Sequence, residues 1–256
     1  MLQEMVYSRE VANKSSQLVI APRKRASYTR PSEMHELALG QLLHAANRCI
    51  PKEREGLFRK PEENDPSVFY AGDLSVLRSP CISVIGARNV SDDGLARATR
   101  ISKELALAGI VVVSGLAKGV DTAAHTAALN VSGKTIAVIG TSLEKAYPVE
   151  NAELQEEIYR NHLLISQFFP GQRTYPSDFP KRNRLMASLS DGSVIVEASD
   201  TSGTLHQAAE CVRLGRWLFL LRSVVENDHL TWPKRFLDYK KTVVVSQISD
   251  ITARVL

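Results

Sequence analysis

At 256 residues, 44% of them hydrophobic and 23% charged, the chain can bury one large core, or one core and a small appendage, and reads as a soluble globular protein. Its three cysteines, Cys49, Cys81 and Cys211, are scattered and form no CxxC pair, which argues against a disulfide framework or a zinc knuckle and fits a reducing cytoplasm. No apolar run approaches the ~18 residues of a membrane span, and Met1-Leu2-Gln3-Glu4 lacks the basic-then-apolar order of a signal peptide, so no membrane partner is expected.

The net charge of +4 is unevenly placed: residues 1–60 hold eleven Lys and Arg against six Asp and Glu, and the rest is close to neutral. A basic arm suits a polyanion, but Arg23-Lys24-Arg25 reads rather as a solvated, flexible arm. Residues 1–30 show little periodicity and are expected to be partly disordered. Met34, Leu37, Ala38, Gln41, Leu42 and Ala45 are spaced by three and four and predict one amphipathic helix over 33–48, ended by Pro51. Residues 50–68, rich in charge and proline, read as a linker into Phe69-Tyr70-Ala71-Gly72. The division expected is an N-terminal extension over 1–65 and a main domain over 66–256.

From residue 81 onward, short apolar runs alternate with amphipathic stretches. Strands are predicted at 82–85, 110–113, 136–139, 163–166, 194–196 and 217–221, with an edge strand at 242–245. Helices are predicted near 92–107, 120–130, 150–160, 182–189 and 203–214; Ser91-Asp92-Asp93 supplies a cap and negative charge to the first, and Gly109 ends it. This rhythm defines an α/β class, a doubly wound, mostly parallel sheet of the extended Rossmann-like kind.

Such sheets gather ligands at the carboxyl ends of their strands, where helix N-termini and glycine turns present N–H groups. The sequence puts Gly86-Ala87-Arg88 after the first strand, Ser114-Gly115 and Gly119 after the second, Gly140-Thr141-Ser142 after the third and Ser202-Gly203-Thr204 after the fifth. With Lys145, placed by its proximity to the third strand, and the run Lys181-Arg182-Asn183-Arg184, these turns point to a phosphate site. The competing reading of Arg182 and Arg184 is helix-end ion pairing with Glu197 or Asp191. Asp121 and His125, one helical turn apart, suit a structural or capping role. There is no GxGxxG, P-loop, GxSxG elbow or HExxH, so dehydrogenase, NTPase, serine hydrolase and zinc-protease readings fall, and no cofactor or metal is expected.

The segments Ser83-Val84-Ile85-Gly86-Ala87-Arg88, Val113 to His125, Tyr147-Pro148-Val149-Glu150-Asn151 and Phe179-Pro180-Lys181-Arg182-Asn183-Arg184-Leu185 together resemble, in order and spacing, the bacterial DNA-processing protein family called DprA or Smf. The likeness covers roughly residues 66–225. It implies a single-stranded DNA-binding, homodimeric recombination mediator without catalytic activity, which helps load a RecA-type recombinase in DNA uptake, transformation or repair. By that likeness Arg88 occupies the arginine of the family's Gly-Ser-Arg turn, with Ala87 replacing serine, and Lys181, Arg182, Asn183 and Arg184 match its basic Asn-Arg motif. Two departures stand out: the short stretch after the last strand leaves no room for the family's C-terminal winged helix, and residues 1–65 match no pattern of its N-terminal helical domain. The alternative is a nucleotide sensor or LOG-like phosphoribohydrolase relative. There Thr201 to Gln207 would stand for the loop that carries a catalytic glutamate, with Gln207 in its place and Glu210 one turn too far along.

Overall fold

The computed structural model describes residues 27–48 and 65–256; the expectations for residues 1–26 and 49–64 lie outside them. Nine strands form one sheet: β1 (His35–Ala38), β2 (Ser67–Gly72), β3 (Cys81–Gly86), β4 (Val111–Ser114), β5 (Thr135–Ile139), β6 (Leu163–Ser166), β7 (Gly192–Glu197), β8 (Trp217–Leu221) and β9 (Thr242–Val245). Their spatial order is β1-β2-β6-β5-β4-β3-β7-β8-β9, in which β6 through β9 run parallel and β1 and β2 add an antiparallel edge. The doubly wound, mostly parallel α/β class read from the sequence is the class observed.

The helices are α1 (Leu39–Ala45), α2 (Asp92–Leu107), α3 (Val120–Leu129), α4 (Ala152–Asn161), α5 (Asp178–Leu189), α6 (Thr204–Leu214), α7 (Arg222–Val225), α8 (Lys234–Leu237) and α9 (Ser249–Val255). Strand order explains their layers. The chain winds outward from β3 to β6 through α2, α3 and α4, returns through α5 to β7, which lies on the other flank of β3, and continues through α6 to β8. Right-handed crossovers therefore set α2, α3 and α4 on one face and α5 and α6 on the other, and α2 packs on α3 as α5 packs on α6. With both faces covered, β4, β5 and β6 are buried throughout, which is why they read as unbroken apolar runs.

Local signals hold at α2, where the Ser91 hydroxyl accepts from Gly94 N at 3.0 Å, Asp92 and Asp93 fill the first turn, and Gly109 follows the end at φ +77°. Two differences arise. The helix expected over 33–48 begins only at Leu39. His35–Ala38 is a strand, because β2 offers an open edge: His35 stacks on Tyr70 at 5.0 Å, and the Gln41 side chain accepts from Ala38 N to start α1. Beyond α1, Arg48 is buried and ties this segment to the sheet through the carbonyls of Ala46, Leu77 and Ser79 and the carboxylate of Asp191. Secondly, α5 begins at Asp178 and not 182, since Pro180 sits inside the first turn, where a missing N–H costs nothing.

Candidate nucleic-acid interface

The order in which the chain adds strands reverses between β3 and β7, which run parallel, and a cavity of about 330 Å³ opens over their carboxyl ends. Gly86 and Arg88 form one wall, Phe179, Pro180 and Asn183 from the start of α5 a second, and Ser202, Gly203 and Thr204 at the start of α6 a third. Two helix N-termini thus face one opening, an arrangement that favours anions. The mouth at Gly203 is clear, with no heavy atom of the described residues outside its own turn within 4 Å of where a Cβ would stand.

The turn carrying Arg88 is fixed from both sides. Ala87 N donates to Glu197 O at 2.9 Å, and Val120 N donates to Ala87 O at 3.3 Å. Gly119 makes that approach possible: at φ +77° it lies so close that a Cβ would meet Ala87 O at 2.4 Å and Arg88 O at 2.6 Å. The Arg88 guanidinium then lies 5.1 Å over the centre of the partly exposed Phe179 ring, a cation–π contact that holds it at the cavity. Phe179 itself fits because the residue beneath is Gly140, whose Cβ would meet the ring at 2.9 Å.

Arg182 lines the cavity from within and is buried. Its Nη1 donates to Gly115 O at 2.5 Å and Val138 O at 3.0 Å, and its Nε donates to Asn183 Oδ1 at 2.9 Å. The guanidinium fills the space a side chain at Gly115 would take, 1.5 Å from the Cβ position. Neither Glu197 nor Asp191 is its partner, contrary to the ion pairing considered for it: Glu197 serves Ser91 and Arg97, and Asp191 serves Arg48. Burial lowers the proton affinity of Arg182, opposed by nearby Asp121, whose own carboxyl burial pushes up and Arg182 pulls down. Asp121 accepts from Ala117 N and so braces the loop after β4, while His125 turns to Thr135 Oγ1 at 2.7 Å and is held neutral by burial, at a pKa of about 3.

The remaining sequence-derived residues are spread around this centre. Ser114 is buried beneath it, donating to Val84 O at 2.7 Å. Lys181 projects outward and pairs with Asp178 at 3.1 Å; Arg184 lies 3.6 Å from Glu210. Lys145 belongs to an adjoining groove of about 690 Å³ that shares Phe179 with the cavity and is walled by Tyr147 and Tyr175, both half exposed. Gln207, in the orientation that satisfies its whole amide, donates to Asn183 O at 2.6 Å and accepts from Ser193 Oγ at 3.1 Å, while Glu210 is held by Arg213.

Several supports went unread in the sequence. Asn151 donates to Leu116 O at 2.8 Å and Thr122 Oγ1 at 2.9 Å, clamping the loop after β4, in which Leu116 adopts φ +58°. The loop before α6 is pinned by Trp232 Nε1 to Ala198 O at 3.0 Å and by the Asp200 carboxylate, which accepts from Thr231 and Trp232. The glycine turns, Arg88 and the motif residue Asn151 were visible as letters; the partners of Asn151 and of the Ala87-Arg88 turn lie 29 or more residues away.

A doubly wound sheet with its cleft at the switch point places the protein in the Rossmann-like α/β class. Within that class it belongs to the family described as DNA recombination-mediator protein A, which matches residues 42–255. It is 42% identical over 173 residues to DNA processing protein DprA of Streptococcus pneumoniae, covering 68% of this chain and 60% of that protein. The X-ray structure of that S. pneumoniae protein superimposes with a TM-score of 0.71 at 32% identity, covering 88% of this chain and 75% of the other. A structure of DNA processing protein A from Helicobacter pylori, described for its single-stranded DNA binding mode, superimposes with a TM-score of 0.68 at 26% identity, covering 86% and 94%. The chain spans roughly half to three-fifths of the length of the first curated relatives it matches.

Proposed function

We propose that the protein binds single-stranded DNA along the carboxyl edge of its sheet and acts as a recombination mediator. Backbone phosphates sit in the cavity between Arg88 and the starts of α5 and α6, and bases rest on Phe179 and the Tyr147–Tyr175 groove beside Lys145. One observation carries this reading: a cation held over a partly exposed aromatic ring at the meeting of two helix N-termini. Sequence-independent binding of single strands needs that combination of phosphate contact and stacking platform. The H. pylori relative, described as binding single-stranded DNA, supports it. Gly86, Ser114 and Gly115 shape the floor in this reading, and Arg182 acts from beneath as a positioning residue.

On the same reading the protein works in the cytoplasm as a homodimer, without catalytic activity, and helps load a RecA-type recombinase during DNA uptake, transformation or repair. The buried amide of Gln207 disfavours the hydrolase alternative, since an amide supplies no general acid or base. Fluorescence anisotropy with one labelled 20-mer, single-stranded and as duplex, tests the proposal at fixed low salt. Binding at least tenfold tighter to the single strand is expected. Equal affinity, or a response to mononucleotide with none to the oligonucleotide, would contradict it.

A further inference from the structure

A second cavity, of about 390 Å³, lies between α2 and the carboxyl ends of β8 and β9. Three arginines line it: Arg97 and Arg100 from successive turns of α2 and Arg222 from the start of α7, with Ser246 and Gln247 from the loop after β9 opposite. Among the described residues Glu104 is the one carboxylate in its lining. The cations are incompletely used. Arg97 reaches Glu197 only at 3.6 Å and keeps a buried Nε without a hydrogen-bond partner among the described residues. Arg222 donates to Ser246 Oγ at 2.8 Å and lies 3.8 Å from exposed Glu226. Arg100 is exposed and makes no ion pair among the described residues.

This cavity shares the sheet edge of the central one. Strand order puts β9 three strand spacings from β3, about 14 Å at the usual spacing of parallel strands. An extended strand leaving the Arg88 cavity along that edge reaches the arginines within a few nucleotides. We propose that Arg97, Arg100 and Arg222 form a second phosphate station for the same single strand, an inference that rests on the function proposed above. Guanidinium groups suit it because they bind phosphate oxygens in pairs and stay charged at every working pH. The shared edge favours a nucleic-acid phosphate over an acidic protein surface.

The station makes affinity depend on strand length. A dinucleotide is too short to cover that span and fills the Arg88 cavity alone, whereas a longer strand engages both. The test titrates wild type and the double variant Arg100→Ala/Arg222→Ala with the thymidine dinucleotide pTpT and a 25-mer of single-stranded thymidine. Arg97 is left in place because its partner Glu197 also receives Ser91 N at the start of α2. The variant is expected to bind the dinucleotide like wild type and the 25-mer about tenfold more weakly, with its salt slope shallower by about 0.7 for each phosphate it no longer neutralises. Unchanged 25-mer binding by a wild type that does bind DNA would overturn the station alone and point to a protein partner for the arginines. Equal weakening at both lengths would also overturn it. A wild type that binds neither oligonucleotide would overturn the functional reading, and the station with it.

Discussion

Replacing Arg182 with leucine should lower the melting temperature by roughly 10 °C, although the substituted residue sits in a basic motif. The side chain is buried, and three acceptors depend on it: the carbonyls of Gly115 and Val138 and the amide oxygen of Asn183. Leucine leaves those groups without a donor and leaves buried Asp121 without the cation that offsets its desolvation. Removing one side of such a buried arrangement costs about 3–5 kcal/mol. Lysine at the same position recovers little, because an ammonium cannot span two carbonyls and an amide with a planar fork. Differential scanning calorimetry decides it: a melting point within ~2 °C of wild type for Arg182→Leu would mean that the guanidinium is dispensable to the fold.

Gly119→Ala should damage binding from a position that touches no ligand. At φ +77° any side chain is strained, by about 1–2 kcal/mol. The added methyl would also stand 2.4 Å from Ala87 O and 2.6 Å from Arg88 O, backbone atoms with no rotamer to change. The Arg88 turn must therefore move, and with it the guanidinium over Phe179. Affinity for a single-stranded oligonucleotide should fall at least tenfold, about 1.4 kcal/mol, together with a measurable loss of thermal stability. Gly203→Ala, where a Cβ enters open space, should cost the fold less than about 1 kcal/mol. Wild-type affinity in Gly119→Ala would show that the turn's placement is not what sets binding.

These two positions also show what the sequence makes legible. The central strands were readable because burial on both faces leaves only apolar letters, and α2 because its cap and its terminal glycine act locally. β1 and β2 were missed: β1 is a four-residue edge strand, β2 between β1 and β6 is only partly buried, and the pairing of both is decided by distant neighbours. The site divides in the same way. Gly86, Arg88 and Ser202-Gly203-Thr204 announce themselves as glycine turns at strand ends, and the structure gathers them around one cavity. Arg182 reads from sequence as a phosphate-binding cation or a helix-end ion pair. Only the absence of a side chain at Gly115, 67 residues earlier, lets it pass into the interior. Lys181 and Arg184 are on the same helix, yet helix geometry turns them outward to Asp178 and Glu210. Asn151, Asp200 and Trp232 shape the site through contacts that no local pattern encodes.

The claim on which the functional reading turns is that Arg88 meets a strand phosphate at the switch-point cavity. Affinity of wild type and Arg88→Ala for a single-stranded 20-mer, measured across a series of salt concentrations, tests it most directly. The account predicts weaker binding by the variant at every salt and a slope of log K against log salt reduced by about 0.7, the value for one single-strand phosphate contact. Superimposable lines for the two proteins would contradict it.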